Sequence, residues 1–310
     1  MHTVTRILAR AALGLAWSVG CAPPAQNIGA WTTAAADTGG AATSSGTTGP
    51  TGETTSTSGA ADPTSSSTDA TTETGSATST GEPVARPWIA VVGDGAPAML
   101  RVRALDGDGE TLDVCALDAV PDGLGFLDDG QLVASFAATA TIARIDPCDC
   151  TTTPVGGIVP PMALTALAEL GGALVLGADA ARVALVTVDV DAATLQGAID
   201  FADAPSITAL AVRDDRRFAL RAGAPMRLLE LDDAAIVLAD TALPALGDAA
   251  GLTPSPIDDG LLACDADGGL WHVDPGTGDV DPLAPALPGP CASLATPRGE
   301  IACLDALWLP

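Results

Sequence analysis

The chain has 310 residues, with 39 acidic against 13 basic side chains and a formal net charge of −26; all the basic residues are arginine. Such an acidic surface repels nucleic acid and anionic lipid, which excludes both as partners, and leaves cations, basic proteins or neutral glycans. No segment after the first twenty residues reads as a transmembrane helix, because Asp or Arg interrupts each apolar run.

Residues 1–20 have the build of an export signal. Arg6 and Arg10 form a positive start, and Ala11 to Val19 is an apolar run of nine residues. A membrane-spanning helix needs about 20 residues, so this run is too short to be one. Ser18-Val19-Gly20-Cys21 resembles the lipobox of bacterial lipoproteins: Gly20 supplies the small residue before the cysteine, although Ser18 stands where Leu is usual. The resemblance implies cleavage before Cys21 and its acylation on sulfur and amine. Each buried methylene contributes about 0.8 kcal/mol, so several acyl chains hold a protein firmly in a bilayer. Ala22, rather than Asp, follows the cysteine, and by the same resemblance this implies the outer membrane.

Residues 21–85 carry the cysteine into a Ser/Thr/Gly/Ala-rich linker whose only aromatic residue is Trp31. A stretch so poor in apolar surface cannot offset the entropy of ordering and is expected to be disordered. It serves as a spacer, or as an O-glycosylated stalk, since Ser/Thr with Pro suits such sugars. Anchor cysteine and linker together resemble bacterial lipoproteins of the myxobacterial type.

Residues 86–310 form the remaining domain, long enough for one all-β unit with a sizeable core. One pattern recurs along it. The second strand of each unit begins near Ile89, Leu132, Leu174, Phe218, Leu261 and Ile301, with steps of 43, 42, 44, 43 and 40 residues. The third strand ends at Asp106, Asp146, Asp189, Asp232 and Asp274, with steps of 40, 43, 43 and 42. A period near 42 with alternating strands such as Leu100-Arg101-Val102-Arg103 is that of a propeller blade of four antiparallel strands. Ala-rich segments at 162–176 and 234–246 have helical propensity. Gly171-Gly172 and Pro244 interrupt them and both fall in phase with the repeat, so they are read as strands.

The sequence thus predicts an all-β propeller of five or six four-stranded antiparallel blades, five being favoured. The segment from Ala292 to Pro310 is expected to supply two or three strands, while the first unit lacks one before Trp88. Pairing the two ends closes the ring and hides both sheet edges, with Trp88 and Trp308 near the seam. The run Trp271-His272-Val273-Asp274-Pro275-Gly276-Thr277-Gly278 resembles blades of quinoprotein-like and YVTN-type propellers. That resemblance implies a propeller and admits lactonase-like enzymes, but no catalytic constellation of such enzymes is matched residue by residue.

The domain holds Cys115, Cys148, Cys150, Cys264, Cys291 and Cys303. An even number in an oxidising compartment points to three disulfides. Proximity in the repeat favours Cys291 with Cys303, or either of them with Cys264, and Cys115 with Cys148 or Cys150. A bridge between Cys148 and Cys150 would be strained. Two acidic loops, Asp106-Gly107-Asp108-Gly109-Glu110 and Asp265-Ala266-Asp267-Gly268, space carboxylates as calcium sites do, though neither completes a binding loop with a terminal Glu. No other cofactor is expected. The domain has four serines (Ser135, Ser206, Ser255, Ser293) and one histidine, His272, placed in a strand beside Trp271 and read as a core or surface residue. No nucleophile and base are paired by motif.

These features together predict a monomeric lipoprotein of the outer membrane, held to the lipid bilayer through Cys21, whose non-catalytic propeller binds an envelope protein or glycan or acts as a scaffold. A hydrolase or lactonase-like enzyme on the same scaffold is the alternative, and it predicts acids or histidine converging at one end of the central channel.

Overall fold

The computed structural model describes residues 86–156 and 161–308; the export signal, Cys21 and the linker lie outside them. The described chain is a ring of five four-stranded antiparallel sheets. β1 (Trp88–Gly93), β2 (Ala98–Ala104) and β3 (Thr111–Leu117) begin blade 1. Blade 2 is β4 (Gly123–Phe126), β5 (Leu132–Phe136), β6 (Thr141–Ile145) and β7 (Thr152–Pro154). Blade 3 is β8 (Leu164–Gly171), β9 (Leu174–Asp179), β10 (Ala184–Asp189) and β11 (Thr194–Asp200). Blade 4 is β12 (Ile207–Arg213), β13 (Arg216–Arg221), β14 (Met226–Leu231) and β15 (Val237–Leu243). Blade 5 is β16 (Ala249–Pro254), β17 (Leu261–Asp265), β18 (Leu270–Val273) and β19 (Val280–Pro282). The last strand, β20 (Cys291–Ala295), returns to blade 1 as its innermost member, giving the order β20-β1-β2-β3.

Burial grades outward across each blade. Inner strands such as β1 and β4 are buried on both faces, whereas the outermost strands β11 and β15 are mostly exposed. This gradient follows from wedge-shaped packing: the inner strands touch neighbouring blades on either side, and the outer ones face water. It also explains the Ala-rich strands. Both segments with helical propensity are β-sheet, as β8–β9 and β15: in β8–β9 small side chains let adjacent sheets approach closely, and β15 is held by its pairing with β14 at the outer edge of blade 4. The second-strand landmarks Ile89, Leu132, Leu174, Phe218 and Leu261 fall in β1, β5, β9, β13 and β17.

The seam closes as the sequence suggests, but with one strand rather than two or three. β20 pairs antiparallel with β1, placing Ala295 opposite Ala90 and Leu294 opposite Val91. Ile301, expected to open another strand, instead caps the short helix α1 (Ala302–Asp305). The reason lies in pairing: the second-strand place that Ile301 would open is already held by β1, which has β2 on one side and β20 on the other. The tail packs against the seam. Asp305 accepts hydrogen bonds from Trp88 Nε1 at 2.8 Å and from the Ile301 amide at 2.7 Å. Trp88 meets Phe126 edge to face at 5.9 Å, and the Arg86 guanidinium lies 5.0 Å over the Trp308 ring.

Three disulfides join Cys115 to Cys150, Cys148 to Cys303 and Cys264 to Cys291. The first and third are among the expected pairings. Cys148–Cys303 corrects the expectation that Cys303 bridges within the last units. α1 turns back from the seam toward blade 2 and brings Cys303 beside the β6–β7 turn. Each bridge links blade 1, or the tail that follows its last strand, to a flanking blade; blades 3 and 4 contain none.

The innermost strands β4, β8, β12, β16 and β20 pack side by side around the axis. Glycines set their approach: a Cβ on Gly123 would lie 2.5 Å from the Leu167 amide nitrogen, and one on Gly251 would lie 2.8 Å from that of Leu294. Midway along the axis the channel narrows to about 10 Å³ between residues such as Gly123, Ala166, Ala209 and Leu294. That is near the smallest space able to hold one water, so the middle of the ring is a packed core.

Two predictions follow from this closure. Replacing both Cys148 and Cys303 by Ser should lower unfolding free energy by up to about 5 kcal/mol in the chain-entropy model, measurable by denaturant titration, with non-reducing peptide mapping recovering the other two bridges. Gly123→Ala and Gly251→Ala should each destabilise the ring by about 1–3 kcal/mol through backbone overpacking, whereas Gly197→Ala, in open space, should cost less than about 1 kcal/mol.

Candidate functional site

One end of the channel opens into a cavity of about 280 Å³. All five blades contribute to it at the exit ends of their innermost strands: Phe126, Glu169, Arg213, Pro254 and Thr296 occupy equivalent places, recurring about every 42 residues. In the middle of each strand one leucine (Leu124, Leu167, Leu210, Leu252 or Leu294) is flanked by glycine, alanine, serine or threonine. At the exit, where the strands splay into turns, larger and polar residues fit.

The polar groups at this mouth stitch the blades together. Thr253 donates its hydroxyl to Thr296 Oγ1 at 3.0 Å, and the Thr296 hydroxyl donates to the Pro254 carbonyl at 2.6 Å, tying blade 5 to the end of β20. Arg213, at the end of β12, donates to the carbonyls of Asp258 and Gly260 and, at 2.7 Å, to Asp259 Oδ1, so blade 4 grips the β16–β17 turn. Ser255 is buried, and its Oγ accepts from the Ile257 amide.

The remaining pair spans non-adjacent blades. Glu169 on β8 forms an ion pair with Arg298, which follows β20; blade 2 lies between them in the ring. The Glu169 side chain is only 9% exposed, against 39% for Arg298. Arg298 Nε lies directly against Glu169 Oε1, an oxygen with almost no exposed surface. Burial pushes the Glu169 carboxyl above its ordinary range, Arg298 opposes the shift, and the nearby Asp128 charge adds to it. Asp128 is fixed on the same rim by accepting from the Gly172 amide at 2.6 Å.

The acidic loops lie elsewhere and are not built as calcium sites. Asp106, Asp108 and Glu110 surround the Arg86 guanidinium, which takes the position a cation would need. Asp265 closes its own turn: Oδ1 accepts from the amides of Asp267 and Gly269, and Oδ2 accepts from Trp271 Nε1. Asp267 contributes its backbone amide to that turn, and its residue is exposed. Among the described residues no group of three His, Cys, Asp or Glu side chains gathers as a metal site would. Cys115, Cys148, Cys150, Cys264, Cys291 and Cys303 are consumed in bridges, and Cys21 lies outside the described residues.

His272 is a partly buried strand residue on β18 whose Nε2 lies 3.1 Å from Asp258. That carboxylate stands on the turn held by Arg213, so His272 supports the rim from behind. Its recorded contact is to Asp258 rather than to Ser255, and a nucleophile–base pair needs the latter. Ser135 and Ser293 are buried with unpartnered hydroxyls, and Ser206 is exposed. Sequence reasoning missed Glu169, Arg298, Arg213, Thr253 and Thr296. The signal that would have found them is the repeat itself, followed at the end of each first strand rather than at the second and third.

No family profile matches the sequence, and no curated protein matches it. Solved structures that resemble the domain include virginiamycin B lyase from Staphylococcus aureus, at 12% identity and TM-score 0.39, over 66% of this chain and 71% of that one. Glutaminyl cyclase from Myxococcus xanthus is similar at 11% identity and TM-score 0.43, over 58% and 72% of the respective chains. The WD40 propeller domain of Doa1 is similar at 14% identity and TM-score 0.36, over 66% and 67%. At such identities these likenesses carry nothing about activity. The propeller itself is defined by the strand order described above.

The raised Glu169 carboxyl gives a pH test. A carboxyl whose folded value lies above its unfolded one stabilises the fold most at low pH, and loses that contribution as pH rises through the folded value. The stability of wild type relative to Glu169→Gln should therefore fall as pH is raised from about 4 to 7, read from paired thermal or denaturant unfolding curves.

Proposed function

We propose that this protein is an extracytoplasmic lipoprotein, anchored in the outer membrane through acylated Cys21, whose propeller binds a partner at the channel mouth without transforming it. The observation that carries the binding reading is the mouth cavity, lined from all five blades, with polar groups of four of them locked to one another. Locked groups of this kind make a rigid receptor surface, since little ordering entropy remains to be lost when a ligand arrives. The pairing of all six domain cysteines supports an oxidising compartment. The lipobox-like run ending at Cys21 supports the anchor, and the linker of residues 21–85 supports display at a distance from the bilayer. The acidic surface directs the partner away from nucleic acid and toward an envelope protein or glycan.

Labelling with radioactive palmitate should mark the wild-type protein and not Cys21→Ala, and the variant should move from the membrane fraction to the soluble periplasm. Alkylation of intact cells without reductant should leave the six domain cysteines unmodified. A cytoplasmic protein with reduced thiols would overturn the reading.

A further inference from the structure

The three bridges differ in what a thiol can reach. Cys264 and Cys291 are fully buried. In the bridge from Cys115 to Cys150 the first partner is half-buried and the second buried. Cys148 is exposed, and its partner Cys303 is half-buried. Exchange begins when a thiolate strikes one sulfur of a bridge, so access decides which bridge opens first.

They differ as well in what they hold. Cys115, Cys264 and Cys291 lie on strands whose ladders remain when the sulfur link is cut. Cys303 lies on the tail after β20, which joins no ladder among the described residues. The amides of Leu304 and Asp305 donate to the Ile301 carbonyl of the same segment, and a helix of four residues does not hold itself in water. Apart from the bridge, the tail is tied to the ring by the hydrogen bond from Trp88 to Asp305, the guanidinium of Arg86 over Trp308, and the buried side chains of Ile301 and Leu304. Arg298 stands five residues before Cys303, so the same segment carries one side of the mouth.

We propose that the bridge from Cys148 to Cys303 is a redox latch: a dithiol opens it alone, freeing residues 297–308 and the Arg298 side of the mouth while the ring stays closed. One thiolate of the dithiol attacks the exposed Cys148 sulfur, and Cys303 leaves as a thiolate. The second thiol then attacks the dithiol's own sulfur in the mixed disulfide, and Cys148 leaves. The dithiol ends as a disulfide, two electrons pass to the bridge, and Cys148 and Cys303 take up the two protons the dithiol gave up. Asp146 and Asp149 flank Cys148 in its turn, and hydrogen bonds from Thr151 hold the Asp149 carboxyl below its ordinary range, so the approach is negative. That charge favours a neutral or cationic thiol over an anionic one.

The test uses purified Cys21→Ala protein at full length, so that only the domain cysteines report. It is treated with dithiothreitol under native conditions, and thiols are trapped by alkylation and located by peptide mass. Cys148 and Cys303 should be labelled at least tenfold faster than the other four. Among single thiols at equal thiolate concentration, cysteamine should open the bridge faster than mercaptoethanol, and mercaptoethanol faster than mercaptoacetate. With this bridge alone reduced, hydrogen exchange at the Leu304 and Asp305 amides should quicken at least tenfold. The Thr296 amide, which donates to Thr253 Oγ1, should exchange as in the oxidised protein. Cys148→Ser with Cys303→Ser should show the same pattern without reductant; if that variant does not fold, the reduced form decides by itself. Another bridge opening first, all six cysteines released at one rate, a reversed charge order, or Leu304 and Asp305 still protected after reduction would each overturn the latch. None of these readouts depends on the anchor at Cys21 or on what the mouth binds.

Discussion

Closure of the ring is the constraint on which the rest depends. An antiparallel blade leaves an inner and an outer edge, and a row of blades has two ends that expose apolar faces to water. Here the chain hides its own ends by placing β20, the last strand, inside β1, the first. Only then do blades 1 and 5 become neighbours, and only then do the five innermost strands enclose an axis. The contacts at that place combine antiparallel pairing, the hydrogen bond from Trp88 to Asp305, the edge-to-face meeting of Trp88 and Phe126, and three covalent bridges.

The mouth is a product of the same geometry. Close approach of the inner strands needs glycine at Gly123 and Gly251, and the leucines at mid-strand leave only about 10 Å³ between them. Relief from crowding at the strand exits admits Glu169, Arg213, Thr253 and Thr296, and these belong to an open circuit of contacts that runs from blade 4 through blades 5 and 1 to blade 3. Arg298 joins the circuit from the segment after β20, so the closing strand supplies both the seam and one side of the cavity. Seam and site are therefore coupled: a change that loosens β20 also shifts Thr296 and Arg298.

Much of the fold is legible in the sequence because the repeat is regular. Ile89, Leu132, Leu174, Phe218 and Leu261 mark second strands, and Asp146, Asp189, Asp232 and Asp274 stand at or just beyond the ends of third strands. Ile301 kept the same spacing and still did not begin a strand, since spacing records where a strand would fit and not whether a partner edge is free. Disulfide partners were legible only where sequence neighbours are also spatial neighbours, as for Cys264 with Cys291. The return of α1 toward blade 2, which pairs Cys303 with Cys148, depends on tertiary packing that no local pattern encodes. The mouth residues were hidden for another reason. Glu169 and Arg298 are 129 positions apart and belong to no motif, and their meeting is set by ring geometry alone.

The position of blade 1 has a mechanical consequence. Any tension entering through the residues before Arg86 arrives along β1, which lies between β20 and β2, both antiparallel to it. Pulling along a strand held on both flanks loads its backbone hydrogen bonds together, in shear, rather than peeling them one after another. The sulfur links then spread the load, through Cys115 and Cys303 into blade 2 and through Cys291 into blade 5. The part of the ring made from both ends of the described chain is thus also the part whose hydrogen bonds and bridges would share a pull on its first strand.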